Sequence, residues 1–99
     1  MPMFAVLLAD VTTGADEIRR KYMAAHLQFL QRHADTIQAA GPLREPNGTA
    51  AGGMWVVNAV DAPFVQALTF EDPFWAAGLR RSIRVLEWAQ VFADGATLV

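Results

Sequence analysis

The chain has 99 residues, of which 54% are hydrophobic and 18% are charged, and its formal net charge is −2. A chain of this length folds as a single domain. The high apolar and low charged fractions exclude disorder driven by charge. The lysines and arginines are scattered along the chain, so we expect no nucleic-acid partner. The sequence has no cysteine, which excludes disulfides and thiolate metal sites, so we expect a cytoplasmic protein.

The first part of the chain predicts a strand and a helix. An apolar run at residues 4–9 ends at Asp10 and predicts a central buried strand. This run is far shorter than the roughly 20 residues of a membrane span, so no membrane association is expected. From residue 16 to about 34 the apolar positions follow a helical period, with His26 and His33 on the apolar face.

The middle of the chain predicts two further strands. Residues 37–43 form a short strand pattern that ends at Gly41-Pro42, because proline marks the end or the edge of a sheet. Residues 44–53 are rich in turn formers and predict a loop, either a hairpin or a flexible connection. Residues 54–60 predict the third strand.

Two helix starts follow the third strand. Asp61 is a candidate N-cap with Pro63 in the first turn, and the apolar side of this helix comes from residues 64–68. Asp72-Pro73 has the same form and predicts a second, shorter helical turn, which Gly78 ends.

The last strand completes a recognisable element order. Residues 83–93 give the longest strand pattern, with Trp88 and Phe92 on one face. The order β-α-β-β-α-β predicts an α+β, ferredoxin-like fold, in which a four-stranded antiparallel sheet carries both helices on one face. Apolar residues on both faces of the strands, especially Trp55, Trp88 and Phe92, predict that two sheets pack face to face in a homodimer or a higher homo-oligomer.

Two polar residues are candidates for chemistry because each lies at a special position. His26 is at the centre of the apolar helix face, where it is either a hydrogen-bonded core histidine or a general base held by a carboxylate. Asp72 is either only an N-cap or an N-cap that also orients His26, since a carboxylate has enough acceptor positions for both roles.

Weaker patterns concern anions and metals. Arg80, Arg81 and Arg84 form a cluster that either holds an anionic substrate or is a solvated face. His26 and His33 are a poor metal pair, because ligands on one helix face are usually three or four residues apart, so no metal site is expected. No known cofactor-binding motif occurs, and no cofactor is expected.

Four short sequence islands are spread over nearly the whole chain in a fixed order. They are His26-Leu27 with Leu30, Ala40-Gly41-Pro42, Asp72-Pro73-Phe74 with Ala77-Gly78, and residues 85–88. Together they resemble the YciI-like family. The resemblance implies a single domain over residues 1–99 with the fold of a ferredoxin-like dimeric α/β barrel, the same fold that the element order predicts.

The resemblance also implies a histidine and an aspartate in a cleft that acts on small molecules. On this chain they are His26 and Asp72, with Gly41 and Pro42 lining the cleft. Some relatives act on hydroxylated or chlorinated aromatic rings, by loss of HCl or by isomerisation. We therefore expect an enzyme of the lyase or isomerase type, without a cofactor, in which His26 moves a proton on a cyclic or aromatic substrate.

Aromatic residues complete the expected cleft. Phe29, Phe74 and Trp75 are expected to contact the substrate and to exclude water, which strengthens the electrostatic interactions inside. Two other functions agree with the same sequence. One is a catalytically silent module for small-molecule binding or assembly, in which His26 is structural. The other is a cofactor-free oxygenase of the same fold, in which the aromatic cleft matters more than the paired His26 and Asp72.

Overall fold

A four-stranded antiparallel sheet with helices on one face forms the body of the protein in a computed structural model, which describes residues 1–99. The elements in chain order are β1 (Met3–Asp10), α1 (Ala15–Arg32), β2 (Ile37–Arg44), β3 (Ala50–Asn58), α2 (Ala62–Phe70), α3 (Pro73–Ala76), β4 (Arg80–Glu87), β5 (Phe92–Ala93) and β6 (Ala96–Thr97). The strands of the sheet lie in the order β2-β3-β1-β4, and all neighbours are antiparallel. The predicted α+β, ferredoxin-like fold is confirmed.

Strand alternation gives the sheet one covered side. Phe4, Val6 and Leu8 of β1 are buried on the side that faces the helices, called here the helix-facing side, because successive side chains of a strand point to opposite sides. Phe29 of α1 packs into the same core and is fully buried. The N-terminal strand is therefore the centre of both the sheet and the core.

Trp55 lies on the covered side, and this corrects one expectation. Trp55 was expected among the residues that face a second copy. Trp55 is instead paired with Val6, is only 1% exposed, and has its ring centroid 5.8 Å from that of Phe29. The opposite side of the sheet, called here the open face, carries Met54 and Leu86, which are both exposed.

The second and third strands are longer than predicted and form a hairpin. β2 continues through Gly41-Pro42 to Arg44, which the sheet tolerates because β2 is an edge strand. β3 begins at Ala50, so only residues 45–49 remain as the connection. Hydrogen bonds close this tight turn from the amides of Glu45 and Gly48, and the predicted hairpin alternative is the correct one.

The last strand of the sheet begins and ends earlier than the sequence predicts. β4 begins at Arg80, opposite Asp10 at the end of β1, and it ends at Glu87, opposite Phe4 near the beginning of β1. The Trp88 amide makes one further hydrogen bond to the carbonyl of Met3. Phe92 is not on the sheet but in the small β5–β6 hairpin. Asp94 and Gly95 turn that hairpin with positive φ angles of 53° and 77°, the backbone of a type I′ turn.

Both predicted helix caps are confirmed. The Asp61 carboxylate accepts from the amide of Phe64 at the start of α2, and the Asp72 carboxylate accepts from the amide of Phe74 at the start of α3. None of the helices is long and apolar enough to cross a membrane.

Candidate active site

His26 and Asp72 meet although they are 46 residues apart in the chain. His26 Nδ1 lies 2.9 Å from Asp72 Oδ1 and 3.0 Å from Oδ2. Asp72 Oδ1 also accepts from the Phe74 amide at 3.0 Å, and the Asp72 side chain is only 2% exposed. The carboxylate thus fills both roles that the sequence left open, since it caps α3 and contacts the histidine of α1. We call His26 and Asp72 the dyad.

The dyad fixes which ring nitrogen of His26 is free. An ionised carboxylate only accepts hydrogen bonds, so the proton of a neutral imidazole must be on Nδ1. Nε2 then has a free lone pair. Nε2 makes no hydrogen bond within the chain and is not fully buried, so a molecule outside the chain can reach it. A histidine in this state can accept a proton from a molecule that reaches Nε2.

A cavity of about 410 Å³ borders the dyad. It lies between α1 and the strands β2 and β3, on the part of the helix-facing side that α1 leaves uncovered. We call it the dyad cavity. Its apolar wall includes Leu27, Leu30, Pro42, Trp55 and Phe74. Besides His26, the charged residues that line it are Asp10, Asp16, Arg19, Arg44 and Arg80. Small-molecule sites typically measure about 300–1,000 Å³ and combine apolar walls with a few polar groups.

A pair of opposite charges lies at the base of this cavity. Asp10 and Arg80 are paired across β1 and β4, and Arg80 Nη1 donates to Asp10 Oδ1 at 2.7 Å. Arg80 Nη2 lies 3.9 Å from Asp72 Oδ2, and Arg19 Nη2 donates to Asp10 Oδ2 at 2.8 Å. Arg19, Asp10, Arg80 and Asp72 therefore form a continuous charge cluster that ends at His26.

A β-bulge places Arg80 in this cluster. Ala9 pairs with Ser82, but Asp10 pairs with Arg80, so Arg81 is the extra residue on β4. Regular alternation would have put Arg81 beside Asp10. The bulge instead turns Arg80 to the helix-facing side, which is the re-aiming that bulges near functional sites commonly provide.

The structure separates the predicted substrate contacts into two groups. Gly41, Pro42 and Phe74 line the dyad cavity. Phe29 does not, because it is fully buried in the core between Trp55 and the half-buried His33. Trp75 does not line the cavity either. It is exposed and its ring packs against Phe70, with ring centroids 4.7 Å apart.

Sequence reasoning missed several cavity residues. Asp10 was used only as the end of a strand, and Arg19 was not singled out. Arg80 was grouped with Arg81 and Arg84, which are both exposed. Only the bulge distinguishes Arg80 from its neighbours, and a bulge of this kind leaves no mark in the sequence pattern. No three side chains of histidine, cysteine, aspartate or glutamate come together as metal ligands would.

Comparison with known families gives one match that covers most of the chain. The family described as YCII-related domain matches residues 3–89. The chain belongs to the YCII-related domain family. The islands that carry the resemblance in the sequence lie within this range. A comparison with curated proteins found no match.

Two solved structures show where else this YCII-related fold occurs. The 5-chloro-2-hydroxyhydroquinone dehydrochlorinase TftG of Burkholderia phenoliruptrix, solved in complex with 2,5-dihydroxybenzoquinone, is 25% identical, with a TM-score of 0.75 over 88% of this chain and 93% of that one. An uncharacterised NIPSNAP domain protein of Burkholderia xenovorans is 14% identical, with a TM-score of 0.52 over 91% of this chain and 94% of that one, and shows likeness of fold alone.

Proposed function

We propose that the protein is a small-molecule enzyme in which His26 moves a proton on a cyclic or aromatic substrate bound in the dyad cavity. The observation that carries this proposal is the pairing of His26 Nδ1 with Asp72 at 2.9 Å, which leaves Nε2 as an accessible acceptor beside a cavity of about 410 Å³. Gly41, Pro42 and Phe74 are proposed substrate contacts. A cytoplasmic location stays a prediction.

The proposed proton transfer has two versions that share their first step. The Nε2 lone pair of His26 takes a proton from the substrate, and the electron pair of the broken bond stays on the substrate. In an isomerisation, His26 returns the proton to a different ring atom. In a dehydrochlorination, the ring reacts as the keto tautomer in which the chlorine-bearing carbon is tetrahedral. The proton that His26 takes is then that of a ring hydroxyl, whose electron pair forms a carbonyl, while the adjacent ring double bond shifts to the chlorine-bearing carbon and chloride leaves with its own bonding pair. His26 then releases the proton to water. Asp72 stabilises the imidazolium formed between the two steps.

The likeness to TftG supports the ring chemistry. That protein is named for dehydrochlorination of a hydroxylated ring, and its structure holds a dihydroxybenzoquinone. A ring of this size is compatible with a cavity of about 410 Å³. The apolar residues around the cavity would bind the ring faces and exclude water from the proton-transfer step.

The test is chloride release from 5-chloro-2-hydroxyhydroquinone under anaerobic conditions. We expect turnover by the unaltered protein and a decrease in kcat of about 10² to 10⁴-fold in His26→Asn, which removes the proton acceptor. The matched control is His33→Gln, because His33 lies on the same helix face seven residues later and does not line the cavity. Full activity in His26→Asn would disprove the proposal.

Two other outcomes would favour the alternative functions. If chloride is not released but 2,5-dihydroxybenzoquinone binds equally well to the unaltered protein and to His26→Ala, the protein is a binding module in which His26 is structural. If a quinol substrate is consumed only in the presence of oxygen, the protein is a cofactor-free oxygenase. In both cases the proton-transfer function is wrong.

We also propose that two copies pack through their open faces. Met54, Leu86 and Trp88 are each more than a third exposed on or beside that face. Apolar side chains on an uncovered sheet favour burial against a second sheet, and a two-fold dimer would place the same residues on both sides of the interface. The dyad cavity opens on the opposite, helix-facing side of the sheet.

A further inference from the structure

We propose that Arg80 binds an ionised oxygen of the ligand in the dyad cavity, and that the substrate is therefore a small ring that carries a phenolate or enolate oxygen. This inference rests on the proposed function in one respect, namely that the ligand occupies the dyad cavity. It assigns a role to a residue outside the dyad and names the chemical class that the cavity selects.

The position of Arg80 is the first argument. The bulge at Arg81 turns the Arg80 side chain to the helix-facing side, where it is 8% exposed and borders the cavity. The Arg80 side chain extends across β1 towards β3, since a Cβ atom on Gly53 would lie 3.7 Å from Arg80 Nη1. This distance is that of an ordinary van der Waals contact, so the guanidinium lies directly beside Gly53 of β3. Phe74 packs over it, with its ring centroid 5.2 Å from Arg80 Cζ.

The uncommitted donors of Arg80 are the second argument. A guanidinium has five N–H donors. Nη1 donates to Asp10, while Nε is buried and has no partner. Nη2 is 3.9 Å from the nearest Asp72 oxygen, which is too long for a hydrogen bond. Nη2 is not fully buried. Nη2 is therefore the donor that an acceptor in the cavity can reach, because Nε has no accessible surface, and a hydrogen bond from Nη2 to an ionised oxygen would satisfy it.

The charge balance is the third argument. Asp10, Asp16 and Asp72 carry three negative charges, Arg19, Arg44 and Arg80 carry three positive charges, and a neutral His26 leaves this set of groups in and beside the dyad cavity without net charge. When His26 takes a proton from the substrate, the set gains one positive charge and the substrate becomes an anion beside it. A guanidinium fixed before the reaction stabilises that anion without reorganisation.

The walls of the cavity favour a ring over an inorganic anion. Leu27, Leu30 and Pro42 line the same cavity as the charged residues, so a ligand that fills it needs an apolar body as well as an acceptor oxygen. The imidazole of His26 and the guanidinium of Arg80 both lie beside the Asp72 carboxylate, and both residues line the dyad cavity. One ring can therefore present a proton to His26 and an oxygen to Arg80.

The experiment compares two quinones that differ in ionisation. The first, 2,5-dihydroxybenzoquinone, is a vinylogous acid and is anionic at neutral pH, whereas 2,5-dimethoxybenzoquinone has the same ring without an ionisable oxygen. Calorimetric titration of the unaltered protein should give about 10 to 100-fold tighter binding of the dihydroxy compound, the range expected for a hydrogen bond to a charged group. Arg80→Met should remove this preference, and Arg80→Lys should keep part of it.

Two further variants make the test specific. Arg81→Met is the matched control, because Arg81 is the exposed neighbour and its loss should leave the preference unchanged. Arg80→Met leaves the buried Asp10 with only one of its two cations, Arg19, and can destabilise the fold. The double variant Asp10→Asn/Arg80→Met removes both charges together. Circular dichroism shows that a variant is folded, and the preference should be absent in every folded variant without Arg80.

Each outcome separates this inference from the proposed function. Equal binding of both quinones to the unaltered protein, a preference that survives in Asp10→Asn/Arg80→Met, or binding of neither quinone would overturn the role of Arg80. His26→Asn should retain the binding preference and lose chloride release. If His26→Asn retains both, the proton-transfer function is wrong while anion binding by Arg80 stands.

Discussion

The imidazole of His26 is stacked on the phenyl ring of Phe74, with ring centroids 4.3 Å apart and an angle of 26° between the ring planes. Asp72 comes two residues before Phe74 and binds Nδ1 of the same imidazole. The short helix α3 therefore holds His26 by a hydrogen bond at its edge and by packing on its face. A loss of either contact should change both stability and the proposed chemistry.

The stacking contact gives the first prediction. Phe74→Leu should lower the free energy of unfolding by about 1–2 kcal/mol, because it removes an aromatic pair worth about 0.5–1.5 kcal/mol and leaves a small cavity. Urea unfolding followed by circular dichroism measures this change. Phe64→Leu is the control, since Phe64 is 49% exposed and should change stability by less than about 0.5 kcal/mol. Equal effects of the two substitutions would contradict the prediction.

The two aspartate caps give the second prediction. Asp61→Ala removes only a cap bond at 2.9 Å, so it should cost about 1 kcal/mol. Asp72→Ala removes a cap bond and also the partner of a buried imidazole, so we expect about 2–4 kcal/mol from the two effects together. The same urea experiment measures both. If Asp72→Ala costs no more than Asp61→Ala, the contact with His26 contributes nothing to stability.

The tautomer of His26 gives the third prediction and needs no substrate. At alkaline pH, where histidine rings are neutral, His26 should carry its proton on Nδ1, because the carboxylate of Asp72 can only accept. Long-range ¹H–¹⁵N correlation spectra distinguish the two tautomers. Asp72→Ala should shift His26 towards the Nε2-protonated form that free histidine prefers. His33, which makes no side-chain hydrogen bond to a carboxylate, should be the same in both proteins.

The sequence was sufficient for the fold because its local signals agree with one another. The apolar run at residues 4–9, the helical period around His26 and the two Asp-Pro type caps each specify one element, and β1, α1, α2 and α3 lie within a few residues of the predicted positions. Asp72 was identified because an N-cap carboxylate has spare acceptor positions. Its contact with His26 follows from the packing of α3 on α1.

The remaining parts of the site depend on features that sequence periodicity does not contain. Alternation alone would have placed Arg81 beside Asp10, and a bulge moves Arg80 there instead. Which side of the sheet Trp55 occupies depends on the register between β1 and β3, since both sides of β3 are apolar. Phe29 was expected at the substrate as an aromatic residue that excludes water, yet its side chain is fully buried in the core.

A close backbone approach at Gly52 gives the fourth prediction. Gly52 has a φ angle of 87°, and a Cβ atom there would collide with the carbonyl oxygen of Leu8. Gly52→Ala should therefore destabilise the fold by on the order of 1–3 kcal/mol, because the backbone of β3 must move away from β1. Gly41→Ala is the control, as Gly41 has no positive φ and open space around its Cβ position. Thermal unfolding should show a lower Tm only for Gly52→Ala.

The open face gives the last prediction. Leu86 is 40% exposed and lies opposite Ala5 on the side of the sheet that no helix covers. If two copies pack through this face, Leu86→Arg places two like charges in a symmetric apolar interface and should convert a dimer into a monomer. Leu98→Arg is the control, because Leu98 is exposed at the β5–β6 hairpin, away from the sheet. Sedimentation equilibrium measures the mass of each protein. An unaltered protein that sediments as a monomer, or a Leu86→Arg variant that remains a dimer, would show that the open face is not the interface.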